Sequence, residues 1–140
     1  MRSNRKILLV EDDQVDIMTV ERAFNQLKIT NELVVKTNGV DALAFLKSAT
    51  GKDFPCLILL DINMPKMNGL EFLKIIKNDE KLCMIPVVML TTSKADVDKV
   101  TSFQHGVAGY MLKPVDYKQF IKVVQTIDLY WTLSEQPMEE

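Results

Sequence analysis

Apolar runs of strand length recur along the chain at residues 6–10, 33–36, 56–60, 85–90 and 108–112. Between them, apolar residues recur every three to four positions, the period of a helix that buries one face. In the first such stretch Ile17, Val20, Phe24 and Leu27 share a face, and Glu21, Arg22 and Gln26 share the opposite one. The second carries Val40, Leu43 and Leu46 inward. The third opens with Asn68-Gly69-Leu70-Glu71, a capping-box sequence, and continues with Leu73 and Ile76 inward. The fourth starts near Ser93, with Asp96 three residues on, and shows Val97, Val100 and Phe103. The fifth starts at Asp116 with Gln119 as its box partner, followed by Phe120, Val123 or Val124, and Ile127.

Strand and helix thus alternate five times. That alternation predicts an α/β domain: a five-stranded parallel sheet with helices on both faces. The near-continuous runs Leu57-Ile58-Leu59-Leu60 and Val87-Val88-Met89-Leu90 fit central strands buried on both sides. A single domain is expected over 1–140, with its core over about 5–128 and a short polar tail at 132–140.

Composition narrows the functional classes. With 47% hydrophobic and 26% charged residues the chain has an ordinary globular balance. A formal charge of -2 gives no support for a nucleic-acid surface. No apolar run approaches the roughly 20 residues needed to span a bilayer. The basic opening Met1-Arg2-Ser3-Asn4-Arg5-Lys6 leads into a short apolar run that ends in acids, unlike a secretory signal. The cytoplasm is therefore the expected location. Cys56 and Cys83 lack CxxC spacing and read as reduced, partly buried thiols. With His105 the only histidine, a zinc site is not expected.

In open parallel sheets, ligands bind beyond the carboxyl ends of the strands. At those ends this chain offers Glu11, Asp12 and Asp13 after the first strand and Asp61 after the third. The fourth offers Thr91 and Thr92, and the fifth offers Lys113 followed by Pro114. Converging carboxylates repel unless a cation sits among them, and a hard divalent ion such as Mg2+ takes oxygen ligands. Such an ion bridges carboxylates to phosphoryl oxygens. Lys113 would add a charge-assisted bond to the same group, and Thr91 a hydroxyl donor. Read alone, Glu11-Asp12-Asp13 is also an ordinary acid cluster at a helix N-terminus.

Taken together, the Glu11-Asp12 pair, the Asp61-Ile62-Asn63-Met64-Pro65…Gly69 loop, Thr91, Tyr110 and the Lys113-Pro114 step resemble the receiver domain of two-component response regulators, over residues 5 to about 128. The resemblance implies a flavodoxin-like (βα)5 fold with Asp61 as phosphoacceptor. It implies Mg2+ held by Glu11, Asp12, Asp61 and the backbone carbonyl of Asn63, and a cis peptide between Lys113 and Pro114. It further implies a switch in which phosphorylation draws Thr91 inward and lets Tyr110 rotate. The altered surface would be that of the fourth helical stretch, the fifth strand and the fifth helical stretch. Asn63 and Ser93 would overhang the acceptor and tune the phosphoryl lifetime. The implied partners are a histidine kinase or phosphotransfer protein and a downstream protein effector. The chain length, the segment Gly106–Tyr110 and the Ile127–Trp131 ending are similar to small stand-alone regulators of phytochrome-type histidine kinases. Tyr130 and Trp131 either cover the end of the fifth helical stretch or support a homodimer through the same switch face.

Two rival readings use the same residues. An aspartate-nucleophile, Mg2+-dependent phosphohydrolase of the haloacid dehalogenase type would need a second acid two residues after Asp61, where this chain has Asn63. A pseudo-receiver acting as a binding module would have lost part of the acceptor set. On the receiver reading the chain accepts one phosphoryl group and is not a turnover enzyme.

Overall fold

All four residues of the first strand, β1 (Ile7–Val10), are buried, so both of its faces meet core. In a strand, successive side chains point to opposite faces. Leu8 and Val10 accordingly join one apolar cluster, with Ile58, Leu60, Val87 and Met89. Ile7 and Leu9 join the other, with Leu57, Leu59, Val88 and Leu90. The computed structural model describes residues 5–62, 64, 67–91, 108–112 and 116–133, apart from the side chains of Lys52, Leu112 and residues 127–133.

The remaining strands are β2 (Leu33–Lys36), β3 (Leu57–Asp61), β4 (Val87–Thr91) and β5 (Gly109–Leu112). They form one sheet in the order β2-β1-β3-β4-β5, and every pair is parallel. This is the expected five-stranded parallel sheet. Two strand ends differ from expectation in a useful way: Asp61 and Thr91 are the last residues of β3 and β4, not the first residues beyond them.

Four helices are described: α1 (Gln14–Gln26), α2 (Gly39–Ser48), α3 (Gly69–Lys77) and α4 (Tyr117–Leu133). The α4 helix is the fifth helical stretch of the sequence, because the stretch from Ser93, with Asp96, Val97, Val100, Phe103 and His105, lies outside the described residues. On one face of the sheet α2 and α3 contribute Ala42, Leu46, Phe72, Leu73 and Ile76. On the other, α1 and α4 contribute Ile17, Val20, Phe24, Phe120 and Val124. Phe72 and Phe120 are fully buried, and each such side chain is worth about 1.5–3 kcal/mol relative to exposure.

The caps follow the sequence signals. Asn68 Oδ1 accepts from Glu71 N at 2.9 Å while Glu71 Oε1 accepts from Asn68 N at 3.4 Å, completing the box that starts α3. Asp116 Oδ1 accepts from Gln119 N at 2.9 Å at the start of α4. Two expectations need correction. Val40 is 47% exposed, and the inward stripe of α2 runs through Gly39, Ala42 and Leu46. The reason is space: a Cβ on Gly39 would lie 2.7 Å from Met67 O, so the start of α2 meets the chain through small residues. Helix α4 continues through Thr132 and Leu133, which were expected in the tail. No described helix is long and apolar enough to cross a membrane.

Candidate functional site

The chain leaves β1 for β2 on one side of it and later returns to β3 on the other. A crevice opens beyond the carboxyl ends of β1 and β3, where the crossovers diverge. Val10 pairs with both Lys36 and Leu60, so the chain leaves β1 level with the ends of its neighbours. Glu11 follows directly, and its N–H donates to Lys36 O at 2.9 Å, holding it against β2. Its side chain is fully buried, and Glu11 Oε2 accepts from Asp13 N at 3.1 Å.

The three acids after β1 divide their roles. Asp13 is the N-cap of α1: its Oδ1 accepts from Val15 N at 2.8 Å and from Asp16 N at 3.3 Å. Glu11 and the exposed Asp12 instead converge with the fully buried Asp61. One carboxylate oxygen from each of the three lies within 4.8 Å of the others. The simple helix-cap reading thus holds for Asp13 and fails for its two neighbours.

The donor set here is all oxygen and all anionic, the kind that suits a hard divalent cation with ligand bonds of about 2.0–2.6 Å. The buried atoms Glu11 Oε1 and Asp61 Oδ2 receive no hydrogen bond from the protein, although both residues have other partners. A cation seated among the three carboxylates would satisfy that geometry and offset the mutual repulsion.

The backbone after Asp61 is pinned from two sides. Ile62 N donates to Leu90 O at 3.1 Å, and Gly69 N donates to Ile62 O at 2.8 Å. Ile62 and Met64 are buried, and Met67 packs partly buried on the same core, so the two methionines serve to pack this loop. Gly69 sits so close that a Cβ on it would lie 2.4 Å from Asp61 O and 2.6 Å from Ile62 Cα. In the sequence Gly69 stands out only as a motif member, and Gly39 carries no motif. The Asn38-Gly39 step was the available signal, since Asn38 Oδ1 accepts from Asp41 N at 2.9 Å and starts α2 beside this loop.

Thr91 is fully buried one residue beyond Leu90, the register partner of Asp61. Tyr110 stands opposite Met89, two residues before Leu112, which pairs with Thr91. It is 49% exposed and shares a groove of about 360 Å³ with Met111, Gln119, Lys122 and Val123. Asn63, Thr92, Ser93, Lys113 and Pro114 lie outside the described residues, as do the side chains of Tyr130 and Trp131. Cys56 and Cys83 are partly buried thiols that form no disulfide.

Residues 7–125 match the Response regulator receiver domain family. The response regulator Rcp1 from Synechocystis sp. is 39% identical over 128 residues, covering 89% of this chain and 87% of Rcp1. A solved Mn2+-bound form of Rcp1 matches with a TM-score of 0.77 at 37% identity, covering 95% of this chain and 99% of that one. The bacteriophytochrome response regulator RtBRR matches with a TM-score of 0.80 at 38% identity, covering 96% and 84% of the two chains. A phosphorylated cyanobacterial phytochrome response regulator, RcpA, matches with a TM-score of 0.78 at 34% identity, covering 96% and 99%. With its parallel sheet in the order β2-β1-β3-β4-β5, its acids gathered beyond β1 and β3, and a family match over most of its length, the chain belongs to the response regulator receiver domain family.

Proposed function

We propose that Asp61 is the phosphoacceptor of a phosphorelay, with Mg2+ held by Glu11, Asp12, Asp61 and the backbone carbonyl of Asn63. The observation that carries this reading is the convergence of the Glu11, Asp12 and Asp61 carboxylates at the carboxyl ends of β1 and β3. An Asp61 oxygen attacks the phosphorus of a donor phosphohistidine. The phosphorus–nitrogen bond breaks, and the departing imidazole keeps the electron pair and takes a proton. Bound Mg2+ supplies charge neutralisation for the incoming phosphoryl oxygens. Lys113 adds a second positive charge to neutralise the phosphoryl oxygens. Glu11 and Asp12 keep their carboxylates aimed at the same point, Glu11 through its ties to Lys36 and Asp13.

The phosphoryl group brings extra negative charge and three strong acceptor oxygens to the rim. The Thr91 hydroxyl turns to donate to it, and Tyr110 leaves its half-exposed position for the space vacated. The surface that includes β5 and α4 then presents itself differently to a downstream protein. This is a population shift between two states of one domain. The same face supports a homodimer.

The donor is a histidine kinase or phosphotransfer protein. The relatives described as phytochrome response regulators support a kinase of the phytochrome type. The receiver domain works in the cytoplasm and accepts one phosphoryl group per cycle without turning over small esters. Asn63, where a phosphohydrolase of similar design needs an acid, favours this over catalytic hydrolysis. The test is Asp61→Asn with acetyl phosphate and Mg2+: labelling disappears. Labelling that persists on another residue of that variant overturns the assignment.

A further inference from the structure

A second concave surface lies at the opposite end of the sheet from the carboxylate crevice. Its walls come from residues that lead into three strands: Arg5 before β1, Phe54 before β3, and Glu80, Lys81 and Met84 before β4. The cavity is about 360 Å³, room for one or two side chains of a bound segment. Phe54 is buried at its base, whereas Met84 is 55% exposed. Lys81 Nζ stands 5.1 Å from the centroid of the Phe54 ring.

The wall that carries Lys81 and Met84 is firmly placed. Asp79 Oδ1 accepts from Lys81 N at 2.8 Å and from Leu82 N at 2.9 Å, which starts the 3-10 turn Leu82–Met84. Lys77 Nζ donates to Cys83 O at 3.5 Å and ties that turn to the end of α3. The acids nearby are engaged elsewhere: Asp79 on those backbone N–H groups, and Asp53 with Lys6 at 3.0 Å. The described lining thus carries two cations, Arg5 and Lys81, against one carboxylate, Glu80. An apolar base beside an excess of positive charge suits an acidic segment with an apolar side chain.

The chain itself carries such a segment. Residues 134–140 hold Glu135, Met138, Glu139 and Glu140 and no Lys or Arg. Helix α4 turns back from the carboxyl end of β5, and its 17 residues make it about 25 Å long, against about 17 Å for the 5 residues of β4. Val124 packs in one cluster with Ile7 and Leu57, the first residues of β1 and β3, and Leu133 lies about 13 Å further along the helix. The helix therefore ends beyond the amino ends of the strands, on the side of the pocket. Residues 134–140, extended, reach about 23–25 Å from that point.

We propose that this pocket docks residues 134–140 of the same chain, with Met138 on Phe54 and Met84 and the three glutamates toward Lys81 and Arg5. Thioethers fill uneven apolar surfaces well because they are unbranched and adaptable. Attachment to α4 makes the encounter intramolecular, so contacts too weak to hold a free peptide suffice.

The test uses the full chain and reads the accessibility of Met84. Dilute hydrogen peroxide converts accessible thioethers to sulfoxides, and peptide mass spectrometry gives the rate at Met84. Met18, 64% exposed on α1, is the internal reference. Glu139→Lys combined with Glu140→Lys is expected to raise the Met84 rate at least about threefold, since one exposed ion pair is worth a factor of about 1.4–5. Lys81→Glu alone is expected to do the same, and all three substitutions together to return the rate to that of the wild type. Amide exchange over residues 80–84 should follow the same order. Equal Met84 rates in the wild type and the tail variant, or no recovery in the triple variant, overturns the proposal. So does protection that grows with protein concentration, which would seat the segment of a second copy there.

Discussion

Gly69 lies against the backbone of Asp61 so closely that a Cβ would sit 2.4 Å from the Asp61 carbonyl oxygen. The start of α3 thereby sets the position of the residue that ends β3. In Gly69→Ala the added methyl meets backbone and cannot be absorbed by a side-chain rotation. Overpacking of this kind costs about 1–3 kcal/mol. The expected result is a lower denaturation midpoint together with slower Asp61 labelling. Asn68→Ala is the comparison: loss of its cap costs about 1 kcal/mol while leaving the Gly69 contact with Asp61 in place, so labelling should change much less.

The carboxylate cluster predicts a metal-dependent stability. A ligand that binds only the folded state stabilises it by about 2.7 kcal/mol at one hundred times its dissociation constant. Thermal melts in Mg2+ should therefore exceed those in EDTA for the wild type. Asp12→Asn removes an exposed member of the cluster that takes no part in the α1 cap, so it should abolish most of the Mg2+ increment. An undiminished increment in that variant would remove Asp12 from the ligand set.

Labelling and switching should separate genetically. Thr91→Ala and Lys113→Ala are expected to retain partial labelling by acetyl phosphate but to lose the accompanying surface change. A probe on the Tyr110 groove, such as amide exchange over residues 109–112 and 117–123, reads that change. A full response in either variant would place the coupling elsewhere.

Asp79 gives a prediction about pH. The backbone N–H of Leu82, and next that of Lys81, hold its carboxyl below the ordinary value of 3.8. The folded state binds this proton less readily than the unfolded one, so the contribution to stability is complete above that ordinary value. It is lost as pH falls through the lower folded-state value. The stability difference between wild type and Asp79→Asn should therefore be flat from neutral pH down to about 4 and shrink below it. Urea denaturation at several pH values measures it, and a difference that grows on acidification would contradict the assigned hydrogen bonds.

Much of this architecture was legible because burial on both faces leaves a continuous apolar run, as in Leu57–Leu60, and because the Asn68–Glu71 box announces α3. The acids of the crevice were legible for a related reason: a carboxylate directly after a buried run can only lie at the sheet rim. Val40 departs from the hydrophobic pattern because size outweighs hydrophobicity there: the start of α2 must pass Met67 with no side chain at Gly39. The split between Asp13, which caps α1, and Asp12, which faces Asp61, is set by a single turn of backbone that composition does not encode. The Lys77–Cys83 contact was hidden because it joins a helix end to a 3-10 turn, where no periodic pattern brings the two together.

Mapping the phosphorylated residue after acetyl phosphate treatment in Mg2+ decides whether Asp61 is the acceptor. Borohydride reduction converts an aspartyl phosphate to homoserine, and peptide mass spectrometry locates it. Conversion is expected at Asp61 alone, absent in EDTA and absent in Asp61→Asn. Conversion at Asp12 or Asp13, or equal conversion with and without divalent cation, would contradict it.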